Sequence, residues 1–368
     1  MQDVETYEQI LARMLSKVPN DLDKRPSSLI YVTSSACAAE MHRHKVEVQI
    51  TKANSFPDTC LELSILKYHG EVPGVQHKEA SKAIVKGVFR PAEFEIDIGT
   101  RFTTNELIYE ITEKISPGTY KLICETPGTD ANHNFGQLIP IDYLAGLQYG
   151  EITEVLIFGE DTEDLEHYRA RVLAGYRDVQ PSNGNFAAYK AMSKNIQGVG
   201  GVKIYRPNND GGYIDMTIQN SEFGVPSQEL IALVAQTIDP YNNHGNGVGE
   251  AGVDHHVTVI GVREATVDVS ANFTFRTGYN FEELKPLIIE SLNQYFAEEN
   301  ENWENYQNPY ANPQIDGNIL LKIAKAEAAI ININGILNVE NLKYNGVASS
   351  LLLGRDEIAK LGEVTNGT

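Results

Sequence analysis

The spacing of apolar residues changes period along this chain, and this change constrains the fold more than any single motif. Up to residue 69 the apolar positions recur every three or four residues, the period of an amphipathic α-helix. Between residues 83 and 157 apolar and polar residues alternate, the period of a β-strand with one buried face. From Gly159 onward, helical and alternating segments are mixed. The pattern predicts a multidomain α+β protein.

Turn signals and shifts of composition divide the 368 residues into four segments. We predict a helical arm at 1–69, a β-rich module at 70–158, an α+β unit at 159–252 and a second α+β unit at 253–368. Two to three domains are expected at this length, because single cores stop growing near about 250 to 300 residues. Strands are predicted at 83–89, 94–98, 107–111, 120–124 and 152–157 within the β-rich module.

The second half of the chain contains a weak internal repeat. A predicted helix at 186–196 runs into Gly198 and a strand, and a predicted helix at 319–331 runs into Gly335 and a strand. Each glycine lies where a helix must stop and the chain must reverse, a position that favours positive φ. We therefore predict a duplicated α+β half, with two units of helix, strand, strand, helix order. The polar segment 298–318 is predicted to be a long surface loop.

The helix predicted after Pro26, with Ser27 or Ser28 as its N-cap, carries an apolar seam at heptad spacing. The seam consists of Leu29, Val32, Ala36, Ala39, Arg43, Val46, Ile50 and Ala53. Only Arg43 interrupts it, and its small alanines allow a neighbouring helix to approach closely. The short helical segments of the arm cannot close a large bundle around this helix. We therefore predict that the seam is an interface and that other chains supply the missing helices.

The charge balance excludes some partners. Thirty basic against 50 acidic residues give a net charge of −20, which repels phosphate backbones and anionic membrane surfaces. No apolar run approaches the roughly 18 residues that span a bilayer, so no membrane insertion is expected. The acidic amino terminus lacks a signal-peptide pattern, and we predict synthesis in a cytoplasm. Cys37, Cys60 and Cys124 are interpreted as reduced core thiols.

We interpret the residues that could bind a metal or a nucleotide as structural residues. His255 and His256 are adjacent on a predicted strand and so point to opposite faces, while His42 and His44 are two residues apart on a helix. His244 is a further candidate ligand. The glycine-rich run 245–252 lacks the phosphate-binding patterns and carries Glu250, so we interpret it as a flexible loop. We predict no cofactor, no metal site and no catalytic site.

Two alternatives remain open for function. Glu93, Glu95 and Asp97 share one face of a predicted strand and resemble a glycosidase carboxylate set, although a solvated strand face gives the same pattern. A cell-wall hydrolase using Glu93 and Glu95 is therefore one alternative. Trp303, with Tyr306 and Tyr310 nearby, could stack on sugar rings. Glycan binding through Trp303 is the other.

Ordered strings along nearly the whole chain resemble one known family. They are YEQIL at 7–11, DKRPSS at 23–28, IGTRF at 98–102, YE at 109–110, IPIDY at 139–143, EVLIFGEDTED at 154–164, the Arg169 and Arg171 pair, GNFAAYK at 184–190, GVGGVKIY at 198–205, IDP at 238–240 and HVTV at 256–259. In order and spacing the chain resembles the baseplate J-like proteins of contractile phage tails, in the subgroup of defective prophages of Gram-positive bacteria. It departs from the family in the loop before His256, where Ala-Pro and Gly-His are usual and the chain reads AGVDHH at 251–256.

The resemblance implies a structural, non-enzymatic role. Such proteins are similar to wedge subunits, in which two copies pair with one smaller tail protein through a shared helical bundle. The carboxy-terminal α+β region is implied to link wedges into a ring around the tail hub, next to hub and sheath-initiator proteins, and to rearrange when the sheath contracts. The expected location is the baseplate of a virion or of a tail-like, bacteriocin-type particle.

Overall fold

The structure, a computed structural model, describes residues 4–177, 184–207, 211–307 and 318–367. The described helices are α1 (Tyr7–Ser16), α2 (Leu29–Asn54), α3 (Leu63–Glu71), α4 (Leu165–Arg177), α5 (Phe186–Lys194), α6 (Gln228–Ile238), α7 (Phe281–Glu301) and α8 (Ile323–Ile331). The strands are β1 (Ile84–Arg90), β2 (Arg101–Thr104), β3 (Leu107–Ser116), β4 (Thr119–Cys124), β5 (Ile139–Pro140), β6 (Tyr149–Ile157), β7 (Val199–Tyr205), β8 (Tyr213–Asn220), β9 (His256–Gly261), β10 (Arg263–Phe275), β11 (Leu320–Leu321), β12 (Ile336–Tyr344), β13 (Leu351–Leu352) and β14 (Glu357–Asn366). This content confirms the α+β class.

The chain forms two compact units. One holds the described parts of Met1–Lys78 and Glu163–Gln180, and the other holds those of Glu79–Thr162 and Pro181–Thr368. This division differs from the four predicted segments, because α4 groups with the amino-terminal helices. None of the helices in the described ranges is long and apolar enough to cross a membrane.

In the helical unit, α1 packs along α2. Thr6 begins α1 with a capping box, and the Ser28 side chain caps α2 by accepting a hydrogen bond from the Tyr31 N–H. Ile10 and Leu11 of α1 are buried against Ala38 of α2. The predicted second helix, its Ser28 cap and its length of about 25 residues are thus confirmed by a helix of 26 residues.

The fourth helix packs on the third. Tyr168 and Val172 of α4 are buried with Leu66 of α3 and with Cys60. Gly70 allows this approach, because a Cβ there would lie 2.1 Å from the Tyr168 hydroxyl. The predicted boundary at residue 159 placed Tyr168 and Val172 in the α+β unit. Their spacing of four residues indicates a helix with a buried face but does not show which helix covers it.

The β-rich module is a closed barrel. The strand order is β5-β2-β3-β4-β1-β6, and a bridge between Gln137 and Glu151, with a Leu138 N–H to Gly150 C=O bond of 2.8 Å, joins the two ends. Its interior is filled by inward-facing aromatic and aliphatic side chains such as Phe89, Phe102 and Tyr120. Four of the five predicted strands are confirmed. The prediction at 94–98 is wrong, because these residues form a loop and the neighbouring strand is β2.

Two three-stranded sheets make up the rest of the second unit. In the order β7-β8-β9 the central β8 is antiparallel to β7 and parallel to β9. In the order β12-β10-β14 the central β10 is antiparallel to β12 and parallel to β14. Helices α5 and α6 contact the first sheet, whereas α7 contacts β14 and α8 contacts β12 in the second. The same three-strand pattern therefore occurs twice.

The chain order differs between the two sheets. The first runs α5-β7-β8-α6-β9, as predicted, but the second runs β10-α7-α8-β12-β14, with the short β11 and β13 beside it. The second unit is therefore not in the predicted helix, strand, strand, helix order. In both units a helix is followed by a glycine and then a strand, at Gly198 with φ +87° and at Gly335 with φ +108°. This part of the predicted repeat is confirmed.

Two further expectations are corrected. The predicted loop at 298–318 is partly regular, since α7 continues to Glu301 and a 3₁₀ turn spans Trp303–Tyr306, while 308–317 lie outside the described residues. Cys60 and Cys124 are buried free thiols, but Cys37 is exposed on α2 and is not a core residue. A position on a helix flanked by small residues does not by itself decide which face is covered.

Candidate functional site: an exposed seam on the second helix

The predicted seam of α2 lies on the surface of the helical unit. The exposed fractions of its large apolar residues are 80% for Leu29, 55% for Val32, 37% for Val46 and 42% for Ile50. Ala36, Ala39 and Arg43 between them are also exposed, and Ala53 is half-buried. At 3.6 residues per turn these positions form one continuous stripe along the helix.

A different face of α2 holds the helix in place. Ala38 is buried against α1, the Tyr7 hydroxyl lies 2.7 Å from the Ser35 hydroxyl, and His42 Nδ1 lies 3.1 Å from the Glu5 carbonyl oxygen. This face is centred roughly a third of a turn from the seam. Contacts with α1 therefore orient α2 and leave the seam uncovered within the described residues.

Charged groups fix the pairing of the first two helices. Glu5 accepts a 2.8 Å hydrogen bond from Arg13 and is paired with Lys45 of α2. Hydrogen bonds from Arg13 and Lys45 lower the pKa of Glu5 to about 2, so it stays ionised throughout the physiological range. On the seam itself, Arg43 pairs with Glu40 at 2.7 Å, and both side chains are 70% exposed. Such an exposed pair adds little stability and can exchange for a partner's charge.

The three candidate carboxylates are exposed to solvent. Glu93, Glu95 and Asp97 lie on the exposed loop between β1 and β2, and Glu95 is paired with Lys114 at 2.5 Å.

Of the candidate histidines, His244 and His256 lie together, with ring centroids 5.0 Å apart, and the others contact different residues. His255 Nδ1 lies 2.5 Å from the Tyr189 hydroxyl, His244 Nδ1 lies 2.7 Å from Asp239, and His256 stacks on Tyr213. His42 contacts the Glu5 carbonyl oxygen, and His44 lies near Glu47. Over the described ranges, no three His, Cys, Asp or Glu side chains are grouped as metal ligands.

The glycine-rich run before β9 is held by hydrogen bonds. The Gly245 N–H donates to the Asp239 side chain, and the Glu250 and Ala251 N–H groups donate to carbonyls at the end of α6. Ala251 is buried in the core of the first sheet. The run is therefore a packed turn, in contrast to the flexible loop that the sequence predicts.

Trp303 is fully buried and is part of the core of the second sheet. A ring with 0% exposure cannot stack on a sugar, so the glycan-binding alternative through Trp303 is wrong as stated. Tyr306 packs against the same core, and Tyr310 lies outside the described residues.

Sequence reasoning missed one further cluster. Lys203, Thr217 and Gln219 lie on the strand faces that alternate with the apolar core, and all three are fully buried. The alternation itself is visible in the sequence, but it predicts a solvated face. No local signal shows that this face is covered.

Comparisons with known proteins identify the family. The family model described as baseplate J-like central domain matches residues 181–261, and that of the baseplate J-like protein C-terminal domain matches 267–367. The uncharacterized protein YqbT of Bacillus subtilis is 30% identical over 366 residues, which cover 99% of this chain and 98% of that protein. The phage-like element PBSX protein XkdT of the same bacterium is 28% identical with the same coverage.

A solved structure was also found. The anti-feeding prophage baseplate, solved by cryo-electron microscopy, contains a chain that aligns at 10% identity and a TM-score of 0.41, covering 98% of this chain and 99% of that one. That score is too low to carry an argument. The full-length relative and the two family models confirm the resemblance found in the sequence: the chain belongs to the baseplate J-like family of phage-tail proteins.

Proposed function

We propose that this chain is a structural wedge subunit of the baseplate in a contractile tail or tail-like particle of prophage origin. In this role it forms part of a ring around the tail hub and rearranges when the sheath contracts. Membership of the baseplate J-like family supports a structural role in a baseplate, and the name of the PBSX relative supports a prophage-derived particle. Hub and sheath-initiator proteins are the expected neighbours.

The observation that carries the proposal is the exposed seam of α2. Single exposed apolar side chains are normal on a protein surface, but a repeating stripe along a helix is typical of a helix-helix interface. The helix has 26 residues and is about 39 Å long at 1.5 Å per residue. Fully burying an exposed side chain of this size contributes about 1.5 to 3 kcal/mol. Covering the seam would contribute a part of that for each of Leu29, Val32, Val46 and Ile50, in proportion to its exposed fraction.

The seam also indicates the chemistry of its partner. Ala36 and Ala39 leave room for a helix to approach closely, and Arg43 lies in the carboxy-terminal half of the stripe. A fitting partner helix is apolar at heptad spacing and carries a carboxylate opposite Arg43. We propose that a second copy of this chain and a smaller tail protein together supply these helices.

We propose that the subunit acts without catalysis. The exposed loop position of Glu93, Glu95 and Asp97 supports this, because sites that bind and process small molecules are usually concave. A turbidity assay on purified cell walls tests the hydrolase alternative. Clearing that is lost in Glu93→Gln or Glu95→Gln would overturn the structural proposal.

Charge placed on the seam tests the interface directly. We expect Leu29→Asp and Ile50→Asp to prevent co-purification with the smaller tail protein upon co-expression, because a buried unpaired carboxylate is costly. Circular dichroism and the emission of Trp303 should remain those of the unmodified chain, since both positions are exposed and distant in sequence from the carboxy-terminal half.

Val48→Asp is the matched control. Val48 is an exposed apolar residue of the same helix, but it lies outside the heptad seam. We expect this variant to retain the smaller tail protein. Recovery of the partner with Leu29→Asp, or its equal loss with Val48→Asp, would contradict the assignment of the seam.

A further inference from the structure

The segment 135–143, which contains β5, carries large apolar side chains on the outside of the barrel. The exposed fractions are 51% for Phe135, 56% for Ile139, 45% for Ile141 and 90% for Tyr143. Leu138, between them, is buried in the barrel core. The segment therefore has apolar side chains on both faces, whereas a strand with one face in water usually alternates apolar with polar residues.

Strand β2 borders the outer face of this segment on one side. Ile139 is paired with Thr103 in the ladder between β5 and β2. The Ile141 N–H donates a 3.0 Å hydrogen bond to the Arg101 carbonyl, which places Arg101 opposite Ile141. Because residues paired in a ladder project to the same face, these four side chains share the outer face of the barrel.

Strand β6 borders the same face on the other side. Gln137 is bridged to Glu151, and the Tyr149 hydroxyl donates a 2.9 Å hydrogen bond to the Glu151 carboxylate. Side chains two residues apart on a strand share a face, so Tyr149 lies on the outer face together with Ile139. We call the outer surface formed by Ile139, Ile141 and Tyr149 the β5 surface.

The charges around the β5 surface are mostly negative. Its rim carries four carboxylates and two guanidinium groups, those of Glu110, Glu125, Asp142, Glu151, Arg90 and Arg101. Arg101 is already paired with Glu125 through two hydrogen bonds of 2.5 and 2.7 Å. Among the described residues, no lysine or arginine pairs with Glu110, Asp142 or Glu151. The β5 surface thus has an apolar centre and an acidic rim.

The closed barrel restricts how a partner can bind here. Strand β5 is hydrogen-bonded to β2, and the residues just before it are bridged to β6, so no free strand edge is offered at this point. A partner therefore cannot extend the sheet by adding a strand, and it must pack on the outer face.

The acidic rim distinguishes between two kinds of partner. A twofold contact with a second copy would bring the same surface of both chains together and set the acidic rim against itself. Like charges placed opposite each other disfavour such a contact. A different protein with lysine or arginine around an apolar centre would be attracted by the same rim.

We propose that the β5 surface is a docking site for a different protein of the particle, whose contact surface is apolar at its centre and basic around it. An apolar centre within a charged rim is the usual composition of a protein interface. The inference rests on the proposed function for the location of this partner in a baseplate. It goes beyond that function because the β5 surface and the seam of α2 belong to different compact units.

Photo-cross-linking in assembled particles tests the identity of the partner. The full-length chain carries p-benzoyl-phenylalanine in place of Ile139, an exposed side chain outside the barrel core. After irradiation of particles purified from the strain that encodes the chain, we expect a product with a different protein, with lysine or arginine beside the joined residue. The same group in place of Ile115, an exposed apolar residue near the far end of β3, should not give this product.

Three results would overturn the proposal. They are a product with a second copy, the same product from position 115, and a chain that is present in the particles but gives no product from position 139. A chain that is absent from purified particles would refute the proposed function, on which this inference rests. The two failures are therefore distinguishable.

Charge substitutions test the centre and the rim of the site separately. With the cross-linked protein co-expressed, we expect Ile141→Asp to lower its recovery with the full-length chain at least about tenfold, because the contact would bury an unpaired carboxylate. Ile115→Asp, at a side chain that is 41% exposed against 45% for Ile141, is the matched control and should keep the partner. Asp142→Lys should also lower recovery, since a reversed rim charge repels a basic partner.

Circular dichroism should show that all three variants keep the unmodified fold, because each position is exposed. Equal recovery with Ile141→Asp and Ile115→Asp would overturn the docking site. Recovery that does not fall with Asp142→Lys would overturn the basic character of the partner.

Discussion

Asp239 is a buried carboxylate directly after α6, and its two oxygens organise the loop that follows. Oδ1 accepts a 2.9 Å hydrogen bond from the Gly245 N–H, and Oδ2 accepts one of 2.9 Å from the Val257 N–H and lies 2.7 Å from His244 Nδ1. One residue thus fixes both the glycine-rich turn and the start of β9. This is the stretch in which the chain departs from the usual family pattern.

Replacement of Asp239 tests this role at the residue scale. We expect Asp239→Asn to lower the free energy of unfolding by about 3 kcal/mol, because an amide cannot accept both N–H bonds and leaves a buried donor unsatisfied. Guanidinium titration followed by Trp303 emission measures it. Asp254→Asn, at a side chain that is 94% exposed, should change stability by less than about 0.5 kcal/mol. Equal effects of the two substitutions would refute the role.

Among the elements, the helix-to-strand turns at Gly198 and Gly335 recur because each combines a positive φ with a close contact. At Gly335, φ is +108° and a Cβ would lie 2.9 Å from the Tyr279 ring and 3.0 Å from Leu284. At Gly278, φ is +94° but no atom lies within 4 Å of such a Cβ. Substitutions at Gly278 and Gly335 therefore distinguish the cost of backbone strain alone from the cost of strain combined with a close contact.

At this scale we expect Gly278→Ala to cost about 1 kcal/mol, the penalty for an L-residue in left-handed backbone. Gly335→Ala should cost about 2 to 4 kcal/mol, because Tyr279 and Leu284 must also move. Thermal or guanidinium unfolding of both variants gives the comparison. If Gly335→Ala were no more costly than Gly278→Ala, the close contact at the turn would not contribute to stability.

For the whole molecule, net charge and the exposed seam oppose each other. The charge of −20 repels other copies, while the seam of α2 favours association. Under the proposed function, this repulsion would keep the subunit dispersed until a partner with the right apolar spacing and charge binds. The acidic balance thus fits a component that is assembled from separate proteins.

Salt should shift this balance. The Debye length falls from about 30 Å at about 0.01 M to about 8 Å at about 0.15 M, so added salt screens the repulsion and leaves apolar attraction intact. We expect the weight-average mass of the unmodified chain, measured by sedimentation equilibrium, to rise with salt. The mass of the Ile50→Asp variant should remain that of the monomer. Association that weakens with salt, or that survives Ile50→Asp, would mean that charge pairs hold the copies together instead.

Local sequence patterns were enough to predict most of the individual helices, strands and turns. Apolar period, caps and turn residues were sufficient for the long α2 with its Ser28 cap, for four strands of the barrel and for the glycine turns at Gly198 and Gly335, because each depends on residues close in the chain. The seam of α2 was also found in the sequence. Its exposure is observed, and its role as an interface remains a proposal.

What covers each element, in contrast, depends on long-range packing. The sequence grouped α4 with the segment that follows it, whereas the helix packs on α3. It predicted a strand at 94–98 and left Trp303 in a surface loop. It also gave no sign that Lys203 is buried, since the contact with Arg355 spans 152 residues and that of Thr217 with Asp356 spans 139. Alternation shows that a strand has one apolar face. Whether its polar face meets water or another part of the chain depends on distant segments, whose packing no local pattern encodes.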